Sequence, residues 1–130
     1  MSDFQTKADN YKKAVNRLEE SIKEYDETHS DSVRDGAIQR FEFCIELAWK
    51  TIREYLLDQG FSDLNSPKSV MREAYAYHVI DDEKLWISAL GDRNLTSHVY
   101  DEKTADDIYL RICGSYIHIF KKLIDKLSEV

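Results

Sequence analysis

The 130-residue sequence holds one proline, four glycines and two cysteines, and each scarcity closes off a class of structure. So few turn-formers exclude a β-sandwich, whose many short strands need frequent Gly/Pro turns, and equally a Gly/Pro-biased disordered chain. Cys44 and Cys113 each lie among apolar residues inside helical patterns, so both are expected to be reduced core thiols; two cysteines alone make no metal site. No apolar run approaches the roughly 20 residues that span a bilayer. The opening Met1-Ser2-Asp3-Phe4 has neither the basic region nor the apolar core of a signal peptide, so a cytoplasmic protein without membrane contact is expected.

Chemical motifs are missing as well. There is no Gly-rich phosphate loop, no Glu-x-x-His pair, no His-Glu-x-x-His and no Cys-x-x-Cys, so no resident metal or other cofactor is expected. Cationic surplus is also lacking: the net charge is −7 and the pI near 5.1. That balance argues against a broad grip on nucleic acid, and DNA is not an expected partner. Any RNA contact would be local, and the acidity suits a basic protein partner.

What is present is helical periodicity, on 42% apolar and 33% charged residues, in a chain expected to form one domain over residues 1–130. Phe4, Ala8, Tyr11, Val15, Leu18, Ile22 and Tyr25 recur at spacings of three and four. They predict a first helix that ends before His29 and leaves Lys12, Lys13, Glu19 and Glu20 solvated. Ser30, Asp31 and Ser32 offer caps for a second helix, from about Ser32 to Gln59, with Gly60 placed to stop it. Its stripe of Ile38, Phe41, Ile45, Ala48, Ile52 and Tyr55, widened by Phe43, Cys44 and Leu47, marks it as central. Asn65-Ser66-Pro67 opens a shorter helix to about His78, with Val70, Ala74 and Tyr77 turned inward.

Asp81 or Asp82 starts a fourth helix that reaches Gly91, beyond which Asp92-Arg93-Asn94-Leu95-Thr96-Ser97 is rich in weak helix formers and its continuity is in question. Thr104 and Asp107 read as a capping box for a last helix striped by Ala105, Ile108, Ile112, Tyr116, Phe120, Leu123 and Leu127. Such helices can bury their stripes only against one another. The expected fold is all-α, an up-and-down bundle of four to five helices, with homodimerisation covering what remains.

Arg93, His98 and Tyr100 form Arg-x-x-x-x-His-x-Tyr, and each suits phosphoryl chemistry. Arginine forks onto a phosphate and stabilises charge building on its oxygens. Histidine moves protons near neutral pH, for instance from a ribose 2′-hydroxyl. Tyrosine offers a hydroxyl that can bond a phosphate or be modified. Five positions on a regular helix place two side chains about 140° apart. A joint site therefore needs a helix end after Gly91, or two copies of the segment meeting across a two-fold axis. From spacing alone the pattern is weak, and a capped helix end with solvated polar groups accounts for it. Glu42, Glu46 and Lys50 form a ridge at spacings of four, the pattern of an ion-pair row. Lys68 and Arg72 lend positive potential near the third helix's start or simply face solvent. Trp49 and Trp86 could stack on a base but are expected in the core, and His29, His78 and His118 in structural or exposed positions.

The blocks Arg40-Phe41-Glu42-Phe43-Cys44-Ile45-Glu46-Leu47-Ala48-Trp49-Lys50, Ser66-Pro67-Lys68, Trp86 and Arg93-Asn94-Leu95-Thr96-Ser97-His98-Val99-Tyr100 together carry a resemblance to the HEPN superfamily. Within it, the chain resembles the nucleotidyltransferase substrate-binding proteins related to HepT toxins, over nearly its whole length. The resemblance implies a dimeric helical bundle paired with a minimal nucleotidyltransferase of the MNT type as toxin and antitoxin. It implies a metal-independent endoribonuclease whose Arg93 and His98 line a composite site at the dimer cleft, with Asn94 as the motif's usual neighbour; Glu46, from the ridge inside the resembling block, and Lys68, from its charge, are supporting candidates beside them. In such pairs the partner transfers AMP to the tyrosine two places after the histidine, here Tyr100. The transfer would be the partner's, because this chain lacks the Gly-Ser and paired-Asp motif of such enzymes. The same resemblance also admits a non-catalytic subunit that presents a nucleotide or substrate to the nucleotidyltransferase.

Overall fold

The computed structural model describes residues 3–96 and 101–130, and every regular element among them is helical. These are α1 (Asp3–Thr28), α2 (Asp31–Asp58), α3 (Pro67–Ala76), α4 (Glu83–Thr96), α5 (Glu102–Arg111) and α6 (Ile117–Glu129). A π-helical turn over Ile112–Tyr116 joins α5 to α6 with no break in helical backbone, so the last three pieces make one rod.

Local chemistry sets the ends. His29, at φ 51°, turns the chain out of α1, and the antiparallel return of α2 is fixed by Lys7 against Glu54 and by Arg40 donating to the Arg17 carbonyl. Gly60, at φ 98°, closes α2 in a Schellman motif, with Phe61 N–H on the Leu56 carbonyl and Gly60 N–H on that of Leu57. Ser66 and Ser69 cap α3 reciprocally, each side chain accepting from the other's backbone N–H at 3.1 Å, with Pro67 in the first turn. Asp82 takes the Leu85 N–H at the start of α4.

The buried stripes meet in a common core. Phe41 of α2 stacks on Tyr116 and Phe120, with ring centroids 5.4 and 5.9 Å away, and Trp86 of α4 packs against Phe120 at 5.5 Å. Tyr11 of α1 is fully buried and donates its hydroxyl to the Phe120 carbonyl at 2.8 Å. Every residue of the last predicted stripe, from Ala105 to Leu127, is buried.

Four local expectations are corrected. α4 does not falter at Gly91 but continues through Thr96. The rod's cap is Asp101, whose carboxylate accepts from Thr104 N–H at 2.7 Å; Thr104 itself is already in the first turn. Phe43 does not widen the inner face of α2 and is 59% exposed. Tyr77 turns outward past the end of α3, lying against Phe61 and Tyr55 with its hydroxyl on Gln59. Cys44 is buried and Cys113 half-buried, both as free thiols.

Candidate functional site

The carboxy-terminal turns of α4 lie beside the middle of α2. There the Arg93 guanidinium meets both acids of the α2 ridge, Nη1 lying 3.7 Å from Glu42 and Nε 3.6 Å from Glu46. These separations mark ion pairs without tight hydrogen bonds. Among the described residues Arg93 Nε has no hydrogen-bond partner although the atom is buried, and the side chain is 28% exposed. Glu46 is shared further, with Lys50 at 3.8 Å and with the Trp49 indole N–H at 3.3 Å. The result is a cation neutralised at rest by two carboxylates, with its side chain partly open to solvent.

One residue earlier the chemistry inverts. Asp92 is nearly buried and receives a two-pronged bond from Arg111, Nε at 2.7 Å and Nη2 at 2.9 Å. It also accepts the Tyr116 hydroxyl at 2.5 Å, and Ser88 completes the chain by donating to Tyr116 at 2.7 Å. Burial first, and the bond to Asp92 next, push the Tyr116 phenol above its ordinary range; the bond to Asp92 raises the Arg111 guanidinium.

Toward the start of α5 a cleft of about 400 Å³ opens between Glu42 and Asp35 of α2, Thr96 of α4, and Asp101 and Glu102. Arg34 forms part of its wall. This arginine is 2% exposed and bonds Glu102 at 2.7 Å, Asp106 at 2.9 Å and Asp35 at 2.9 Å, so its charge is locked, with the Glu102 bond the main cause of its raised pKa. Carboxylates therefore dominate the described lining of the cleft, and Arg93 meets that lining at Glu42 through a longer ion pair of 3.7 Å.

Arg93 and Glu46, both singled out by sequence, are brought together, and Glu42 joins them. Asn94 follows on the exposed side of α4. Lys68 is exposed in the first turn of α3 and is not among the groups that Arg93 meets. His98 and Tyr100 lie outside the described residues. Asp92, Arg111, Tyr116 and Ser88 were missed: an acid next to a motif arginine, and a tyrosine on an apolar stripe, carry no spacing signal that separates them from solvated or core residues.

Residues 6–129 match the model of a family described as nucleotidyltransferase substrate binding protein like. A Haemophilus influenzae relative, "Probable ribonuclease HepT", is 35% identical over 86 residues, which are 63% of this chain and 59% of that protein's length. A solved Haemophilus influenzae structure, described as having the fold of a substrate binding domain of a nucleotidyltransferase, superimposes with a TM-score of 0.84 at 26% identity, covering 93% of this chain and 98% of that one. A Thermus thermophilus structure gives a TM-score of 0.75 at 31% identity, covering 92% and 96%. With its helical architecture and a family match over nearly its whole length, the chain belongs to the nucleotidyltransferase substrate binding protein like family.

Proposed function

We propose that this chain is the toxin half of a toxin–antitoxin pair, the HEPN-type partner of a minimal nucleotidyltransferase, and that it cleaves RNA without a metal ion through Arg93 and His98. The observation that carries this reading is the state of Arg93: partly exposed, held by Glu42 and Glu46 at ion-pair distance, with Nε unbonded among the described residues. A guanidinium held at these distances would turn its fork from carboxylate to phosphate, against the repulsion of the two acids beside it. On an RNA strand, His98 would take the 2′-hydroxyl proton as that oxygen attacks the adjacent phosphorus, and Arg93 would stabilise the charge on the phosphoryl oxygens. The P–O5′ bond then breaks, leaving a 2′,3′-cyclic phosphate and, once protonated, a 5′-hydroxyl. Two copies of the chain would complete the site, each supplying what the other's Arg93 needs. Asn94 and Lys68 would assist with the substrate backbone. Tyr100 would be the AMP acceptor through which the nucleotidyltransferase silences the cleft.

The test is cleavage of a tRNA and mRNA panel in EDTA by wild type, Arg93→Ala and His98→Ala. Wild type should cut, and each variant should lose activity by at least about a hundredfold. A second reading, a non-catalytic subunit presenting substrate to the nucleotidyltransferase, is favoured by one observation: the carboxylate-lined cleft beside Arg93 suits a cationic substrate better than a polyanion. Absence of cleavage by folded, dimeric wild type would decide for it.

A further inference from the structure

We infer that Asp92 is a positioning residue for Arg93, clamping the end of α4 against the π-helical turn so that the guanidinium is aimed at Glu42 and Glu46. The inference rests on the reading of Arg93 as the phosphate-stabilising group. Asp92 and Arg93 are consecutive, about 100° apart around the helix. Whatever fixes the rotation of α4 at one therefore fixes it at the other.

The clamp has three parts. A carboxylate as buried as Asp92 is costly unless paired, and here it accepts two bonds from Arg111 and one from Tyr116. Arg111 and Tyr116 are five positions apart, a separation that turns side chains about 140° from each other on a regular helix. The turn over Ile112–Tyr116 removes that mismatch: Ile117 N–H bonds the Ile112 carbonyl, the i→i+5 pattern that winds in an extra residue and brings both donors to one carboxylate. Finally, Tyr116 is stacked on Phe41, the residue before Glu42. Two neighbouring pairs thus run in parallel between the helices: Phe41 reaches Asp92 through Tyr116, and Glu42 meets Arg93 directly. The inner pair is buried, and the outer pair is partly exposed.

Intrinsic propensity would not hold this segment. Asp92, Asn94 and Thr96 are weak helix formers, yet α4 remains helical through all of them. The geometry of Arg93 is therefore set from outside α4.

The experiment combines arginine side-chain NMR with kinetics on the whole chain. Asp92→Asn, Arg111→Lys and Tyr116→Phe are compared with wild type by far-UV circular dichroism, by the Arg93 Nε–H resonance (assigned with Arg93→Lys), and by kcat and KM for RNA. The expected result is preserved helix content with a shifted and broadened Arg93 resonance in Asp92→Asn and Arg111→Lys. Their kcat should fall by about a hundredfold, as for a misplaced group, with KM unchanged. Tyr116→Phe, which keeps the ring and loses one bond, should fall between. Folded variants whose Arg93 resonance and kcat match wild type would overturn the inference. Should Asp92→Asn fail to fold, Arg111→Lys and Tyr116→Phe decide by the same criteria. Should wild type not cut RNA, the ribonuclease reading fails alone, and the Arg93 resonance still accepts or rejects the clamp.

Discussion

Arg34 and Arg93 both meet carboxylates, with opposite consequences. Arg34 spends its donors on three acids at 2.7–2.9 Å and is sealed from solvent, so it ties the start of α2 to the start of α5 and can offer nothing to a ligand. Arg93 faces its acids across longer gaps and remains accessible. Residue type alone does not distinguish the two; only the bonds do. The cysteines divide similarly. Burial pushes the Cys44 thiol up to about 12, whereas half-buried Cys113 is raised less completely out of reach of reagents. The thiolate is the reactive form, so a disulfide reagent at pH 8 should label Cys113 slowly in the native protein and Cys44 only once denaturant unfolds it. Rapid labelling of both without denaturant would contradict this. The sign for stability follows: the unfolded thiol titrates near 9.0 and the folded one near 12, so the folded state retains a proton that the unfolded state releases, and stability declines as pH rises across that window.

Among the helices, α3 depends most on its cap, since ten residues are too few to hold a helix by propensity. Ser66→Ala removes one arm of the reciprocal cap and should destabilise the protein by about 1 kcal/mol, read as a lower urea midpoint with unchanged slope. That start was legible in Asn65-Ser66-Pro67, as were the stripes of α1, α2 and the last rod, because capping and periodicity are local. Other features were not. Thr104 and Asp101 are both good cap residues, and only the extended backbone of Asp101, at φ −118° and ψ 150°, shows which one precedes the helix. α4 was expected to weaken after Gly91 because its sequence does; it continues because Asp92 and Arg93 are held by α2 and the rod. The extra residue of the π-helical turn leaves a spacing of four in the stripe at Ile112 and Tyr116, which an ordinary helix also shows. Of the candidate site, Arg93 and Glu46 were readable from motif and ridge, but their meeting was not, since it joins positions far apart in sequence.

At the scale of the whole molecule, a net charge of −7 sets the terms for any contact with RNA. Long-range steering would oppose a polyanion, so affinity must come from a few local cations, and cleavage should weaken less with added salt than it does for proteins that track the phosphate backbone. A site assembled from two copies concentrates such cations in one cleft, and it makes a prediction that a one-chain site does not. Arg93→Ala and His98→Ala, inactive separately, are mixed and allowed to exchange subunits. If each site takes its arginine from one copy and its histidine from the other, every heterodimer contains one intact site and one doubly altered site. Random exchange then restores about a quarter of wild-type activity. If both residues act within one copy, every site in the mixture carries a single defect, and activity stays at the level of the separate variants. Light scattering on the same samples supplies the control: a protein monomeric at working concentration rules out the shared site, whatever the mixture does.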